Sequence, residues 1–341
     1  MRNDTRTAFN RYLHQIARLS DVTNAADQFS VTPSVQQTLE QKIQESSALL
    51  QMVNVMGVDE LKGQKLMLSS TGPIAGRTDV TANDRTPRDM TSMDGSEYEA
   101  RPTEFDTFIP WAKLDAWAKF PNFQTMIRDA IVRQQALDRI MIGLNGTSAA
   151  TETDRVSSPL LEDVNIGWLQ QYRSNRPDNV MTGGATAGTI TVGDSDADYA
   201  NLDALVFDAA HNLIDPWFRE SPDLVVMCSR TLLDDKYFQL IDSTNQPTER
   251  NALDIIMSTK RLGGYPAMGV PYFPANSIMI TSMENLSLYY QLGSRRRRVV
   301  DEPKRSRIEN YESSNDAYVV EDYGFGCLIE NIDASGSSSS A

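Results

Sequence analysis

The chain has 341 residues, 40% of them hydrophobic, enough to bury one large core or two or three smaller ones and too many for a disordered chain. No run of eighteen apolar residues occurs, which leaves no membrane-spanning helix, and MRNDTRTAFNRYLHQ lacks the apolar stretch of a secretory signal, so synthesis in a cytoplasm is expected. A net charge of −14 argues against a sequence-reading nucleic-acid binder, while it suits either a solubilised surface or a wall that holds a polyanion without sticking to it.

Residues 2 to 20 read as a short amphipathic helix with Phe9, Leu13 and Ile16, joined by Tyr12, on one face. Four arginines, Arg2, Arg6, Arg11 and Arg18, against Asp4 make it net basic. Such a helix can lie on a membrane or a partner or dock on its own protein; its apolar face is too short for firm membrane binding, and docking on a partner is expected ahead of the last. Ser20 to Ser30 reads as a flexible connection. Within it Asn24, Ala25, Ala26, Asp27, Gln28, Phe29 and Ser30 offer the small and polar residues that a proteolytic cut requires.

A helix start comes next: Thr32 can cap with its hydroxyl, and Pro33 at the first helical position gives up an N–H that would have no partner there. Val35, Leu39, Ile43, Ser46, Leu49 and Val53 fall on one stripe. From Gly57 to Pro110 helical period disappears and turn signals recur, at Lys62-Gly63, Thr71-Gly72-Pro73, Thr86-Pro87 and Asp94-Gly95. Fifty such residues are too many for an ordinary loop, so an extended hairpin is predicted, with arms at Lys65 to Ser70 and Glu97 to Phe108. Pro121 to Gly146 is a second long helix, with Phe123, Met126, Ile127, Ala130, Ile131, Gln134, Leu137, Met141 and Leu144 near one face and Asp129 spaced to pair with Arg133. Asn145-Gly146 stops it. A compact α/β lobe is predicted next, from a helix at Trp168-Leu169, a helix over Tyr199 to Leu213, a buried strand over Leu224 to Met227 and a helix from Thr231 to Ile241. Short strands succeed it at Ser277 to Thr281, Ser287 to Leu292, Arg307 to Tyr311, Ala317 to Glu321 and Gly324 to Ile332, before a frayed Ser-rich tail.

Catalytic chemistry finds little material. His14 and His211 are the only histidines, and Gly183 to Gly188 lacks the Gly-Lys-Ser/Thr ending of a phosphate loop. Asp194, Asp196 and Asp198 lack the downstream glutamate of a calcium loop, and Glu321-Asp322 reads as a solvated face. Cys228 and Cys327 read as two buried thiols. No catalytic residue, cofactor or metal site is assigned. Arg295, Arg296, Arg297 and Arg298 form the concentrated basic feature, a patch suited to phosphate or acidic protein whose members alternate along an extended segment and so cannot all serve one surface.

The wording of Phe29, Val31, Pro33, Ser34, Val35, Gln37, Thr38 and Leu39, continued by Gln44, Glu45, Ser46 and Ser47, resembles the start of the major capsid protein of Peduovirus-type tailed phages. Leu144 to Thr147 (LNGT) and the segments LGGYPAMGVPYFPANS and RIENYESSNDAYVVEDY extend the resemblance over nearly the whole chain. It implies an α+β fold of the Hong Kong 97 capsid type. Its parts would be an N-terminal arm over residues 1–30, an arm helix over 31–56, an extended E-loop with the first peripheral strand over 57–110, and the spine helix of the peripheral domain over 111–149. An α/β axial domain over 150–290, closing peripheral strands over 291–334 and a tail over 335–341 complete it.

The implied function is assembly as pentamers and hexamers into an icosahedral shell, in the cytoplasm of a bacterial host, that receives double-stranded DNA and becomes the virion. The implied partners are the chain itself, an internal scaffolding protein with protease activity, the portal and the enclosed DNA, with no membrane. The resemblance further implies removal of the arm near residue 30, with Phe9, Leu13 and Ile16 docking on scaffold or inner wall beforehand. For Arg295 to Arg298 it implies ion pairing with a neighbouring subunit ahead of contact with DNA phosphate. Lys62 and Lys65 lie in the excursion, but no crosslinking chemistry transfers to them. The alternatives are an encapsulin-like nanocompartment and, from another class, a carboxylate-based hydrolase.

Overall fold

The computed structural model describes residues 1–20, 22–65, 69–70, 75–82, 84–86, 91–92, 97–117, 123–193, 196–233 and 260–334. Its helices are α1 (Asn3–Leu19), α2 (Pro33–Glu45), α3 (Ala48–Met52), α4 (Trp111–Trp117), α5 (Phe123–Asn145), α6 (Trp168–Asn175) and α7 (Leu202–Leu213). The helix expected to run to Ile241 is helical over residues 230–233; its remainder lies outside the described residues, as does the tail.

One fourteen-residue strand, Arg307–Val320, organises a seven-stranded sheet. Along one edge it pairs antiparallel with Leu286–Gln291 and then Arg296–Glu302. Along the other edge lie Arg101–Glu104 and Thr107–Pro110, which share one continuous register. Outside Leu286–Gln291 runs Asn54–Val58, and outside Arg296–Glu302 runs Phe29–Ser30. Two separate strands were expected here, at Arg307 to Tyr311 and Ala317 to Glu321. They merge because the polar link between them presents Glu312, Ser314 and Asp316, alternate residues of the pleat, to buried partners.

The second sheet has six strands in the order Arg261–Leu262, Tyr265–Gly269, Leu224–Cys228, Ile278–Ser282, Gly326–Ile329 and Val180–Met181. Gly326–Ile329, expected among the closing strands, therefore belongs to the α/β lobe. α7 covers this sheet with Leu205, Val206, Ala209 and Ala210. Cys228 and Cys327 are buried there as thiols.

Between the sheets, α5 and α6 pack at a crossing that requires a glycine: a Cβ at Gly143 would lie 2.4 Å from the Trp168 ring. The Trp168 indole donates to the Ser287 carbonyl at 2.9 Å and meets Tyr318 edge-on at 5.3 Å. The buried face of α5 carries Val132, Gln135, Ala136, Arg139, Ile140 and Gly143; of the predicted stripe Leu144 is buried, Ile127, Ile131, Leu137 and Met141 are half-buried, and Ala130 and Gln134 are exposed. Two surfaces explain the difference: Ile127 packs toward α1, while Val132, Ala136 and Ile140 face the main core. Asp129 pairs with its neighbour Arg128 at 2.8 Å instead of with Arg133, out in solvent.

Candidate functional site

α1 folds back on its own subunit. Phe9, Ile16 and Ala17 are buried against Leu114 of α4 and against Val299 and Ile308 of the large sheet, with Leu13 half-buried at the margin. Polar contacts frame this apolar seat: the Arg2 amide donates to Asp115 at 3.0 Å, Arg297 donates to the Tyr12 hydroxyl at 3.1 Å, and Arg6 lies 3.8 Å from Asp301. The same three apolar side chains read from the sequence as a contact face are thus brought together, on the subunit itself.

The segment from Asn24 to Ser30 is not the flexible connection the sequence predicted. Ala25 and Phe29 are buried; the Ala25 carbonyl accepts from Val299 at 3.1 Å, and Arg298 donates to the Ala26 carbonyl at 3.1 Å. Phe29 and Ser30 pair in register with Arg297 and Arg296. Asn24 accepts from the Ala26 amide and donates to Asp27, and Asn24, Asp27, Gln28 and Ser30 are the exposed positions. Small side chains let this stretch lie close on the sheet, and composition alone does not distinguish that from a loose linker.

α2 begins at Pro33 as predicted, although the Thr32 hydroxyl makes no capping bond. Its buried face carries Gln36, Glu40 and Ile43, of which the two polar residues were not foreseen. Glu40 is the shared acceptor of two buried guanidiniums, Arg139 from α5 and Arg295 from the loop before Arg296–Glu302. Arg139 also pairs with Asp316 at 2.9 Å, and Arg295 with Glu312 at 2.7 Å. Gln135 closes the ring, donating to Glu312 and accepting from Arg295, both at 2.9 Å, and the Ser314 hydroxyl donates to Asp316 at 2.6 Å.

Burial works to raise both the Glu40 and Glu312 carboxyls, but the arginines outweigh it. Arg139 and Arg295 hold Glu40 below the usual carboxylate range, and Arg295 with Arg297 brings Glu312 to about 2. Both carboxylates are therefore ionised and hydrogen-bonded, the condition under which buried ions are tolerated. A signal was available in the sequence: Gln36 and Glu40 lie four apart and Glu40 three before Ile43, inside the arc that faces the core.

The basic cluster divides accordingly. Arg295 is fully buried and paired within its own subunit, so it is no surface residue. Arg297 is half-buried and donates to Asn310 at 3.1 Å, while Arg296 and Arg298 are exposed on an open groove with Glu104, Asp106 and Tyr311.

The predicted excursion forms a ribbon. Lys62, Gly63 and Gln64 pair with Glu99, Tyr98 and Glu97, and Ser69 and Ser70 pair with Ser92 and Thr91 on the same register. Tyr98 packs against Tyr289, Ala317 and Val319 at its base, and Lys65 is buried there, donating to the Glu321 carbonyl at 3.1 Å. Beyond the base, residues 75–82 and 84–86 are exposed. The remaining turn signals, at 71–74, 87–90 and 93–96, lie outside the described residues.

Residues considered for chemistry have structural partners. Asp198 accepts from the amides of Ala185 and Thr191 at 2.7 and 2.8 Å, tying down the glycine-rich turn; Asp194 lies outside the described residues. Glu321 accepts from the Tyr289 hydroxyl at 2.7 Å, and Asp322 from the Gly324 amide at 2.8 Å. His211 is exposed, its ring stacked on Phe207 at 6.2 Å. Among the described residues no group of three or more histidine, cysteine or carboxylate side chains could hold a metal ion, and no helix is long and apolar enough to cross a membrane.

Comparison with known proteins gives concordant results. A family profile described as phage major capsid protein, P2 family, matches residues 8–332. The chain is 47% identical to a protein named "Capsid proteins" of Escherichia phage P2, covering 97% of this chain and 95% of that one. It is 41% identical to the major capsid protein of Serratia phage KSP20, covering 97% of each. A chain in the solved satellite phage P4 procapsid, which includes the size determination (Sid) protein, superposes with a TM-score of 0.81 at 45% identity, over 98% of this chain and 99% of that one.

Proposed function

The chain belongs to the P2 family of phage major capsid proteins, a subunit that self-assembles into the icosahedral shell enclosing phage DNA, and on that basis we propose how its parts divide the work. Copies associate as pentamers and hexamers. The Lys62–Glu99 ribbon acts as the E-loop, lying across a neighbouring subunit. α5 is the spine of a peripheral domain built on the seven-stranded sheet, and the six-stranded lobe is the axial domain.

The ribbon carries this reading. Two strands alone are marginal in water, and among the described residues this pair finds apolar support near Tyr98, so a neighbour's surface supplies the remainder. Replacing residues 69–92 with a short turn keeps Lys65, Tyr98 and the Arg101–Glu104 strand in place. The expected product is a folded subunit that forms no shells by electron microscopy; normal shells would overturn the assignment.

Arg296 and Arg298 are assigned to ion pairing with a neighbour's acids. Changing both to Gln is expected to impair shell formation without DNA present, and to make residual assembly salt-sensitive. Normal empty shells that fail to retain DNA would point to phosphate contact instead. An internal scaffolding protein with protease activity and the portal are the further partners. The related P4 procapsid includes a size determination (Sid) protein, which supports the idea that a shell of this kind takes further proteins. Removal of the arm near residue 30 completes assembly. Since Phe29–Ser30 is paired with the sheet, this segment must peel away before it can enter a protease. A full-length chain throughout DNA-filled particles, by intact mass, would remove that step.

A further inference from the structure

We infer that α1 is a separable ligand of the subunit, an amphipathic helix seated in an apolar groove of the body, so that a cut near residue 30 severs the chain without by itself releasing the helix. The inference rests on the proposed processing step for its biological setting, and on geometry for its substance.

Phe9, Ile16 and Ala17 are buried at 5%, 6% and 7% exposure in one apolar cluster, made partly with Ala25, Phe29 and Val31 of the connection and partly with Leu114, Val299 and Ile308 of the body, and the body contacts do not depend on an unbroken chain at residue 30. The polar frame, Arg2 to Asp115 and Tyr12 to Arg297, likewise lies within the helix or at its start. The groove floor comes from three places, Leu114 of α4, Ile127 of α5, and Val299 with Ile308 of the sheet, so it exists as a concave surface whether or not the helix is tethered to it. Residues 25–31 have backbone holds of their own on the sheet, Ala25 to Val299, the pairing of Phe29 with Arg297 and the Val31 amide on the Arg295 carbonyl. Hydrolysis near residue 30 requires Phe29–Ser30 to peel from the sheet, but it leaves the contacts of Phe9, Ile16 and Ala17 with the body in place.

What the cut changes is effective concentration: rebinding within one chain becomes an encounter between two molecules. The fit is imperfect in a way that permits eventual release. Phe9 and Tyr12 roof a small cavity, and the buried Asn310 amide on its wall, 8% exposed, has no hydrogen-bond partner on its Nδ2. The seat therefore recognises an amphipathic, basic helix with two apolar anchors on one face, and holds it reversibly.

A test uses the full chain with a sequence-specific protease site, flanked by Gly and Ser, inserted between the exposed residues Thr23 and Asn24. After cleavage, the α1 fragment is expected to co-migrate with the body on gel filtration at micromolar concentration. In the Phe9→Asp, Ile16→Asp double variant, retention should fall by roughly tenfold or more. A fragment that separates fully from the unsubstituted body, or that stays equally in both, would overturn the inference. Displacement supplies a second readout on an unaltered body: a synthetic peptide of residues 1–20 should expel labelled fragment, and the doubly substituted peptide should not. Unprocessed chains in mature particles would remove the processing step yet leave this binding result standing.

Discussion

Two of the attachments that hold the first fifty residues to the body, those of α1 and α2, are opposite in chemistry. α2 is fixed through Glu40, a buried carboxylate shared by Arg139 and Arg295. α1 is fixed by Phe9, Ile16 and Ala17, with Arg6 left in solvent at 3.8 Å from Asp301. Withdrawing α2 would leave two desolvated guanidiniums facing Glu312 and Asp316 without their common partner, so this attachment gives way only as a unit. An apolar helix face lifts from its groove at a cost that grows with the area uncovered. The chain thus keeps α2 and the body behind it, and is able to let go of α1.

The largest expected effect tests the first attachment. Glu40→Ala should lower the unfolding stability of the subunit by about 3–5 kcal/mol, read as a shift in urea midpoint; a loss below ~1 kcal/mol would erase the distinction between the two attachments. Acid should act on the same network. The Glu312 carboxyl is held at about 2 in the fold against 4.5 ordinarily, so its contribution is complete above pH 4.5 and is lost as the pH falls toward 2. Over that window the subunit should lose roughly 3 kcal/mol, and Glu312→Gln should flatten the dependence. Protection of α1 in hydrogen exchange should not track this curve.

Phe9→Ala should weaken the α1 seat by about 2 kcal/mol, visible as faster amide exchange within residues 3–19 while the global urea midpoint stays in place. A parallel drop in the midpoint would mean that α1 and the body unfold together. Smallest of all, Arg6→Gln should change α1 protection by less than about 0.5 kcal/mol, because its partner lies at the edge of ion-pair range and the guanidinium is exposed. A larger change would show that charge holds the helix.

The sequence displayed one of these attachments and concealed the other. Phe9, Leu13 and Ile16 repeat with helical period among polar residues, and that pattern survives folding unchanged. The Glu40 network is spread over residues 40, 135, 139, 295, 312 and 316, and only the fold makes them neighbours. In one dimension each acid reads as a solvated face, and Arg295 reads as the first of four surface arginines. The same blindness split the Arg307–Val320 strand, since Glu-Ser-Ser-Asn-Asp looks like a turn until its alternate residues are seen to meet buried arginines and Gln135. The long excursion was legible for the opposite reason: it lacks any core-facing period, and that absence needs no tertiary knowledge.

The placement of Arg307–Val320 also sets a timetable. This strand joins segments contributed by residues 101–110 and 286–302, and through the latter residues 29–30 and 54–58, yet it is synthesised after all of them. At translation rates of about 5–20 residues per second, strands made by residue 110 wait roughly 10–40 s for it. Through that interval Arg139 and Glu40 exist without Asp316 and Glu312, and the edge at residues 101–110 has no mate. Nascent subunits are then exposed to mispairing with one another, and such high contact order favours slow closure. Docking of residues 307–320 onto residues 101–110 ends that interval, because it gives the open edge its mate and the buried arginines their carboxylates together.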